Sequence, residues 1–421
     1  MATRDAYPTL SVEEARARIL EHVRPLEAEG VPILEALGRV LCQDVLADAP
    51  IPPHNNSAMD GYAVRHADLM GEAPRLPVIG YVAAGAVWEG TLRPGQALRI
   101  MTGAPMPAGA DTVVRFEDTD AKGGADGGAE GDWVVIRRAP RAGSNVRLAG
   151  EDVQPGSVVL SAGQALGPAE IGMLASVGQA QARVYRRPRV AVLATGDEIL
   201  PLDAPPAPGK IRNINSYANA AQVLEAGGEP LVLEVAPDRA DSLVERLRRA
   251  VALGADLIVT SGGVSVGDFD LVKEVLASEG AIDFWWVNMK PGKPMAFGLL
   301  RGIPLLALPG NPVAAMLSFM LFGRPAVHKM LGRRAWELPT VQARLAEAIR
   351  RKDGRRHYLR VHLAQEAKGL TARLTGDQGS GILTSMVVAD GLAVIPETCD
   401  HLAADSLVDV ILLHPGEFWS A

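Results

Sequence analysis

Apolar residues recur at helical spacing near the start of the chain, in the stretch SVEEARARILEHV. Ser11 stands where an N-cap is expected, and Glu14 follows three residues later, which is the pattern of a capping box. The spacing therefore predicts an amphipathic helix within residues 1–27 that packs one face on a larger domain. The apolar residues of this face are Val12, Ala15, Ile19 and Val23.

Short β-prone runs, broken by Pro and Gly, replace the helical pattern from about residue 47 to residue 146. This pattern predicts a small β-rich lid domain at 54–146. The lid domain is inserted in a linking domain that comprises 28–53 and 147–180. The glycine-rich stretch KGGADGGAEG, Lys122 to Gly131, has the composition of a disordered hairpin tip.

Strand, loop and helix patterns alternate between residues 181 and 334. Continuous apolar runs at RVAVLA, PLVLEV, DLIVT and IPLLAL predict strands. Helical patterns occur at SYANAAQVLEAGG, RADSLVERLRRAVAL, FDLVKEVLASEG and PVAAMLSFMLF. Because such strands must be buried on both faces, the pattern predicts a doubly wound α/β domain with a parallel sheet.

Alternating and short strand patterns return after residue 334, in HYLRVHL, GLAVIP and SLVDVILL. They predict a C-terminal β domain at 335–421. The predicted fold class is therefore α/β plus β: a multidomain chain with a doubly wound α/β domain, an inserted β-rich domain and a C-terminal β domain.

Composition and charge narrow the classes of partner and compartment. The 421 residues include 42 Lys and Arg against 49 Asp and Glu, a net charge of −7, which predicts no general attraction to nucleic acid or anionic membrane. Two cysteines in a chain of this length, Cys42 and Cys399, favour a reducing compartment. The start of the chain lacks an apolar signal core, and the most apolar helical run, Val313 to Phe322, is about half a membrane span. The sequence thus predicts a cytoplasmic protein.

Polar motifs follow the predicted strands of the α/β domain. They are TGDE (Thr195 to Glu198), APD with Asp238, TSGGVSVGDFD (Thr260 to Asp270) and LPGNP (Leu308 to Pro312). Ligands of open parallel sheets bind beyond the carboxyl ends of the strands, so these loops should line one crevice. Glu198, Asp238, Asp268 and Asp270 would face it. The alternative is that each carboxylate is only a helix cap or a turn residue.

The turn KPGKP, Lys290 to Pro294, supplies cations for the same region. Its prolines and glycine hold two ammonium groups at a set separation. The carboxylates and lysines could form structural ion pairs alone. The functional hypothesis is that the carboxylates bind Mg²⁺, which bridges to a pyrophosphate or an oxyanion, while Lys290 and Lys293 neutralise the remaining charge. Motifs of nucleotide kinases, classical dehydrogenases, zinc proteases and serine hydrolases are absent from the sequence.

Two further polar stretches are PPHNNSAMDGYAV, Pro52 to Val64, and DQGSGILTSM, Asp377 to Met386. Each could be merely a turn. Taken in order and spacing, however, NNSAMDGYAV, TGDE, SGGVSVGDFD, KPGKP and LPGNPVA resemble the MoeA family, the molybdopterin molybdenumtransferases that include the E domains of gephyrin and its plant counterpart. The resemblance covers essentially the whole chain.

The resemblance implies an enzyme of molybdenum cofactor biosynthesis that inserts molybdate into adenylylated molybdopterin, with Mg²⁺ as cofactor and loss of AMP. Carried over by motif, the catalytic positions are Asp60, Glu198, Asp268, Asp270, Lys290 and Lys293, with Glu198, Asp268 and Asp270 as metal ligands. The implied substrate-binding positions are Thr102, Asp152, Asp238, Gly262, Gly263, Ser265, Pro309, Asn311, Arg360 and Ser380. Trp286 stands where some members have a further lysine, and a tryptophan could stack on a flat ligand.

The family also implies a homodimer in which the inserted domain of one subunit lies near the crevice of the other, and a possible partner in the adenylyltransferase that supplies the substrate. Two alternatives stay open from the sequence. The chain could be the adenylyltransferase itself, which shares the α/β domain, or a molybdopterin-binding scaffold that has lost catalysis. The intact carboxylates and lysines argue against the scaffold.

Overall fold

The computed structural model describes residues 8–121, 131–262 and 280–414, with only the backbone for residues 280–285. The predicted N-terminal helix is confirmed, as α1. The Ser11 hydroxyl accepts a hydrogen bond from the Glu14 amide at 3.1 Å, and the Glu14 carboxylate accepts one from the Ser11 amide at 2.8 Å. Both halves of the capping box are therefore present. The apolar face of the helix is buried in the largest core of the molecule.

The described α-helices are α1 (Val12–Glu21), α2 (Pro168–Ser176), α3 (Asn215–Glu225), α4 (Ala240–Ala252), α5 (Pro312–Ser318), α6 (Arg324–Met330) and α7 (Thr384–Val387). A π-helical segment, Phe319–Gly323, joins α5 to α6. The apolar run of α5 and this segment is buried against α1 and the central sheet. None of the helices in the described ranges has both the length and the apolar character that a membrane crossing needs. All but the last residue of the helix predicted at FDLVKEVLASEG falls outside the described residues, as does most of the hairpin tip predicted at residues 122–131.

A seven-stranded sheet forms the centre of the α/β domain. Its strands are β1 (Thr9–Leu10), β2 (Arg189–Ala194), β3 (Glu229–Val232), β4 (Leu257–Ser261), β5 (Gly280–Val287), β6 (Pro294–Leu300) and β7 (Ile303–Leu308). Their order across the sheet is β1-β5-β6-β7-β4-β2-β3. The four strands predicted from sequence, β2, β3, β4 and β7, are confirmed and run parallel to one another.

The predicted parallel arrangement holds for these four strands but not for the whole sheet, because β6 runs antiparallel to both β5 and β7. The sequence pattern missed β5 and β6 because the KPGKP turn separates them and its prolines suggest a loop. Pro294 is the first residue of β6, a position where a strand tolerates the missing amide hydrogen. Helices nevertheless cover both faces: α1, α3, α5 and α6 pack on one core, and α4 packs on the other.

The inserted domain carries a five-stranded sheet, in the order Thr112–Arg115, Gly61–Val64, Ala97–Ile100, Arg75–Val82 and Trp133–Val135. Two apolar clusters lie on its two faces. Short 3₁₀ turns at His66–Leu69 and Phe116–Asp118 connect its strands, and a third lies in the linking domain at Ile33–Ala36. The β-rich prediction for this region is confirmed by these strands.

Short antiparallel pairs build the linking region. They join Asn56–Ser57 with Val146–Arg147, Val45–Leu46 with Val158–Leu160, and Ala28–Pro32 with Gln181–Tyr185. The last strand lies beyond the predicted end of the linking domain at residue 180. Ala182 and Val184 pack in its core together with Leu174 of α2, so residues up to about Tyr185 pack with this region.

The C-terminal domain is a six-stranded sheet in the order Met289–Lys290, Arg356–Glu366, Gly369–Leu374, Thr340–Leu345, Leu407–Leu412 and Gly391–Ile395. Arg356–Glu366 also pairs with Gly391–Ile395, which curls the sheet around its own apolar core. A small pair, Ile349–Arg350 with His401–Leu402, lies beside it. The first strand of this sheet comes from the KPGKP turn, so the α/β domain and the C-terminal domain share backbone hydrogen bonds.

Candidate functional site

A crevice of about 360 Å³ opens at the carboxyl ends of β2, β4 and β7. Parallel strands bring their following loops to the same edge of the sheet, which is why distant motifs meet here. Isoleucines and prolines supply the apolar part of its wall. The lining residues are Ala194, Thr195, Glu198, Ile199, Ile211, Arg212, Asn213, Ile214, Asn215, Ser261, Gly262, Pro294, Pro309, Gly310, Asn311 and Pro312.

Gly262 lets the loops after β2 and β4 approach each other. Its φ is +86°, and a Cβ at this position would lie 2.6 Å from the carbonyl oxygen of Thr195. Any side chain would therefore force the two loops apart. The loop after β7 lies close by as well, since a Cβ built on Gly310 would be 3.6 Å from the Gly262 Cα. The predicted role of Gly262 in the crevice thus has a steric basis.

Glu198 is exposed and lines the crevice, as predicted. Its carboxylate folds back over Gly196, where a Cβ would collide with it. The Glu198 carbonyl accepts a hydrogen bond of 2.8 Å from the Ile211 amide, and a parallel pair of Ile199–Leu200 with Ile211–Arg212 continues this wall. The carboxylate is therefore held at the crevice by a two-stranded ribbon.

Asp238 lies in the neighbouring loop rather than in the lining of the crevice. It forms a reciprocal pair with Asp197: the Asp197 amide donates to the Asp238 carboxylate at 3.3 Å, and the Asp238 amide donates to the Asp197 carboxylate at 3.2 Å. Lys210 Nζ donates to the Asp197 carbonyl at 2.6 Å. This arrangement ties the loops after β2 and β3 together.

The N-terminus of α5 joins the C-terminal domain at the crevice. Asn311 is its N-cap residue, and Asn311 Nδ2 donates to Ser380 Oγ at 2.9 Å. The Val313 amide donates to the Ser380 carbonyl at 3.1 Å. Since Asn311 and Pro309 line the crevice, Ser380 lies at its border.

Arg360 lies behind Ser380 and is only 1% exposed. Its Nε donates to Ser385 Oγ at 3.0 Å, and a terminal nitrogen donates to the Gly379 carbonyl at 3.1 Å. Burial lowers the pKa of Arg360, and nearby Asp377 partly offsets this. An arginine keeps its charge under these conditions, so a buried cation stands beside the loop that carries Ser380.

The KPGKP turn packs beside α5 because Gly292 has no side chain. Its φ is +106°, and a Cβ would lie 3.0 Å from Ser318 Oγ. Lys290 Nζ lies 3.5 Å from an Asp353 oxygen, and Lys293 Nζ lies 5.0 Å from the centroid of the Trp286 ring. The tryptophan that was expected to offer a surface to a flat ligand contacts a neighbouring lysine in this structure, as a cation–π pair.

Asp60 and Thr102 lie together in the inserted domain. The Asp60 carboxylate accepts hydrogen bonds from the Thr102 amide at 2.7 Å and from the Thr102 hydroxyl at 2.8 Å. Asp152 is exposed in the linking region, and its amide donates to the Ile51 carbonyl at 3.1 Å. Within the ranges that the structure describes, no hydrogen bond joins these residues to the crevice.

The structure thus brings Glu198, Gly262, Pro309 and Asn311 to the crevice, with Ser380 at its border and Arg360 behind it. Lys293 directly precedes Pro294, which lines the crevice, whereas the Lys290 side chain lies beside Asp353 of the C-terminal domain. It leaves Asp60, Thr102 and Asp152 apart in this chain. Gly263, Ser265, Asp268 and Asp270 lie outside the described residues. In the described part, no group of three or more His, Cys, Asp or Glu side chains is arranged to hold a metal.

Sequence reasoning missed the loop Lys210–Ser216, of sequence KIRNINS, which forms one wall of the crevice. Asn215 Nδ2 donates to the Gly310 carbonyl at 2.7 Å, and the Asn213 side chain caps Ser216. The signal was a run of polar residues, two of them asparagines, ahead of a helical pattern. Asp353, beside Lys290, was also missed, because nothing in the sequence places it next to the turn. His357 lies near a polar motif in the sequence, but a lone histidine is more often a surface or packing residue.

Comparison with known proteins gives matches along almost the whole chain. Residues 10–178 match the MoeA N-terminal region (domain I and II), residues 191–329 a probable molybdopterin binding domain, and residues 342–413 the MoeA C-terminal region (domain IV). A molybdopterin molybdenumtransferase of Nostoc is 39% identical over 91% of this chain and 88% of its own. Molybdopterin molybdenumtransferase 2 of Mycobacterium tuberculosis is 38% identical over 95% and 98%.

Solved structures agree with these sequence matches. The crystal structure of the molybdopterin biosynthesis MoeA protein of Pyrococcus horikoshii superposes with a TM-score of 0.81 at 33% identity, over 96% of this chain and 99% of that one. A second structure from the same organism gives a TM-score of 0.80 at 29% identity. The order of the three matched regions, the crevice and these relatives together show that the chain belongs to the MoeA family.

Proposed function

We propose that this protein is a molybdopterin molybdenumtransferase, which inserts molybdate into adenylylated molybdopterin and releases AMP in the synthesis of molybdenum cofactor. The observation that carries the proposal is the crevice itself, where the α5 N-terminus meets the Ser380 loop of the C-terminal domain in front of buried Arg360. Relatives that carry this name match the chain over nearly their full length.

The crevice has the chemistry that such a substrate requires. Asn311 and Ser380 place polar side chains at the crevice, and Arg360 supplies a cation in a partly dry environment. The apolar wall of isoleucines and prolines offers a surface for a flat ring system. In this proposal Lys290 and Lys293 contact the phosphates, while Arg360 and Ser380 hold molybdate or the terminal phosphate.

Mg²⁺ is part of the proposal, with Glu198, Asp268 and Asp270 as its ligands. The exposed Glu198 carboxylate on the crevice wall fits a hard cation. Asp268 and Asp270 follow Gly262 in the sequence and lie outside the described residues. When bound, the metal would neutralise the pyrophosphate oxygens as the bond to AMP breaks. Glu198 then serves to hold the cation on the β2 side of the crevice.

The proposal also includes a cytoplasmic homodimer, which receives its substrate from the adenylyltransferase that makes it. A site shared between subunits would bring Asp60 and Thr102 of one chain to the crevice of the other. What favours this is that the Asp60 carboxylate is already fixed by two hydrogen bonds, although it lies apart from the crevice of its own chain. Asp152 and Asp238 would be further residues of the substrate-binding site.

Product analysis separates this proposal from the adenylyltransferase alternative. Purified protein is incubated with adenylylated molybdopterin, Mg²⁺ and molybdate, and the nucleotides and the molybdenum-containing pterin are measured. We expect AMP release that requires molybdate. Glu198→Gln should lower it strongly without unfolding the protein. Consumption of ATP with molybdopterin, and no AMP release, would show the adenylyltransferase instead; tight pterin binding without turnover would show a scaffold.

A further inference from the structure

The backbone of Lys290 belongs to two domains at once. Residues Met289–Lys290 pair in parallel with the C-terminal sheet, and Lys290 stands opposite His357. The Arg356 amide donates to the Asn288 carbonyl at 3.0 Å, and Asn288 Nδ2 donates to the Gly354 carbonyl at 3.1 Å. The first lysine of the turn is therefore fixed by the C-terminal domain, although it precedes a strand of the α/β domain.

The side chain of Lys290 faces a carboxylate of the same C-terminal domain. Lys290 Nζ lies 3.5 Å from Asp353 Oδ2. Arg355 donates to this same oxygen at 2.8 Å, and His357 Nε2 lies 2.8 Å from Asp353 Oδ1. The hydrogen bond with His357 and the charge of Arg355 hold the pKa of Asp353 well below its usual range, against the effect of partial burial. Asp353 is thus an anion at every working pH.

His357 holds the Asp353 carboxylate from the buried side. It is 7% exposed, and burial lowers its pKa; the hydrogen bond and charge of Asp353 oppose this, and Arg351 and Lys290 add to the lowering. The neutral ring therefore donates its Nε2 hydrogen to Asp353, because the carboxylate can only accept. A buried donor that holds one carboxylate oxygen leaves the other directed at the two cations.

The contact between Lys290 and Asp353 is too long and too exposed to contribute much to folding. The Lys290 side chain is 52% exposed, and surface pairs of this kind add little stability. At 3.5 Å the ammonium is also not committed to a short charge-assisted hydrogen bond, which would be nearer 2.8 Å. The ammonium is therefore directed by Asp353 and remains available to a second anion.

We propose that Asp353, held by His357, is a positioning residue that directs the Lys290 ammonium toward the substrate phosphate. The proposal rests on the function proposed above, in which Lys290 contacts a phosphate of the adenylylated pterin. It adds a role for the C-terminal domain in substrate binding, through a carboxylate that does not itself touch the substrate. A long lysine side chain loses rotamer freedom on binding, and a fixed counter-charge removes part of that loss beforehand.

The test compares Asp353→Asn in the wild-type and Lys290→Ala backgrounds. We expect Asp353→Asn to raise KM for the adenylylated pterin, and its Kd by equilibrium dialysis, about 5- to 10-fold, with kcat and the KM for molybdate within about 2-fold of wild type. Asp353→Glu should restore part of the affinity. In the Lys290→Ala background the change at Asp353 should have no further effect, because the residue it positions is gone.

A matched control is Asp405→Asn. Asp405 pairs with Lys368 at 3.4 Å in the same domain, far from the turn in the sequence, and asparagine tolerates its positive φ of 70°. This variant should keep the wild-type KM. Equal KM values for Asp353→Asn and Asp405→Asn would overturn the proposal, and so would an equal increase in both Lys290 backgrounds. A wild-type protein that releases no AMP would instead overturn the proposed function on which the inference rests.

Discussion

In the crevice, hydrogen bonds run between domains: the Asn311 side chain donates to Ser380 Oγ, and the Val313 amide donates to the Ser380 carbonyl. In the inserted domain, the bonds of the Asp60–Thr102 pair stay local, between two turns of one small sheet domain. Both regions carry candidate residues of the same reaction. They differ in what else those residues do.

The crevice residues hold two domains together, so their loss should affect folding as well as function. The Asp60 carboxylate needs only its acceptor atoms to keep its local structure, so its charge is free to serve another purpose. The comparison suggests that a functional carboxylate is easiest to recognise where the negative charge is not needed for the stability of the fold. The predictions below test this difference.

The largest effect is expected for Arg360→Ala. The change removes two side-chain hydrogen bonds and leaves a buried cavity, which should lower the free energy of unfolding by about 2–4 kcal/mol. AMP release should fall at least ~100-fold, because a cation at the oxyanion is lost as well. Denaturant unfolding and steady-state kinetics measure the two effects. A wild-type free energy of unfolding in this variant would show that Arg360 does not stabilise the loop that carries Ser380.

Acid should weaken the α/β domain through His328 of α6, which is 3% exposed. Burial, with help from Arg324 and Arg333, lowers the pKa of His328 to about 3. The unfolded chain therefore takes up this proton first, so the stability contribution is lost as the pH falls below the unfolded value of about 6.5. We expect a loss of about 2 kcal/mol between pH 6.5 and pH 5 from this group.

His328→Gln is the variant that isolates this loss. It should be less stable at pH 7.5 but should show a smaller decrease on acidification, as measured by urea unfolding at both pH values. An unchanged pH dependence in the variant would argue against a buried neutral His328.

An intermediate effect is expected for Asp60→Asn. The amide oxygen still accepts both hydrogen bonds from Thr102, so the free energy of unfolding should stay within about 0.5 kcal/mol of wild type. AMP release should fall about 10-fold if the charge serves the reaction. Asp68→Asn is the control, because Asp68 also accepts a backbone hydrogen bond in this domain, from Gly95. A similar loss of activity in both variants would remove the special role of Asp60.

The smallest effect is the coupling between Asn311 and Ser380. A double-mutant cycle of Asn311→Ala and Ser380→Ala should give an interaction energy of about 1 kcal/mol in unfolding, as for one hydrogen bond of ordinary strength. Additive changes would show that the contact between domains at 2.9 Å contributes nothing measurable.

Much of this architecture follows from local sequence rules. The capping box of Ser11 and Glu14, the parallel strands and the loops beyond their carboxyl ends all depend on periodicity and short-range chemistry. The antiparallel strand β6 could not be predicted from these rules, because the proline at its start, Pro294, is typical of a loop. The Asp353–Lys290 contact depends on how the C-terminal domain packs against the α/β domain, which no local pattern encodes. The position of Asp60 relative to a crevice depends on how two subunits would associate.

The central claim is that these two differently built regions form one active site across a dimer. The most direct test is to co-express Asp60→Asn and Asp270→Asn with different tags, purify the mixed dimer and measure molybdate-dependent AMP release. In a two-fold dimer with shared sites, both changes fall in one site and the other stays intact, so the mixed dimer should have about half of wild-type activity and a random mixture about a quarter. Activity no higher than that of either parent variant would contradict the claim.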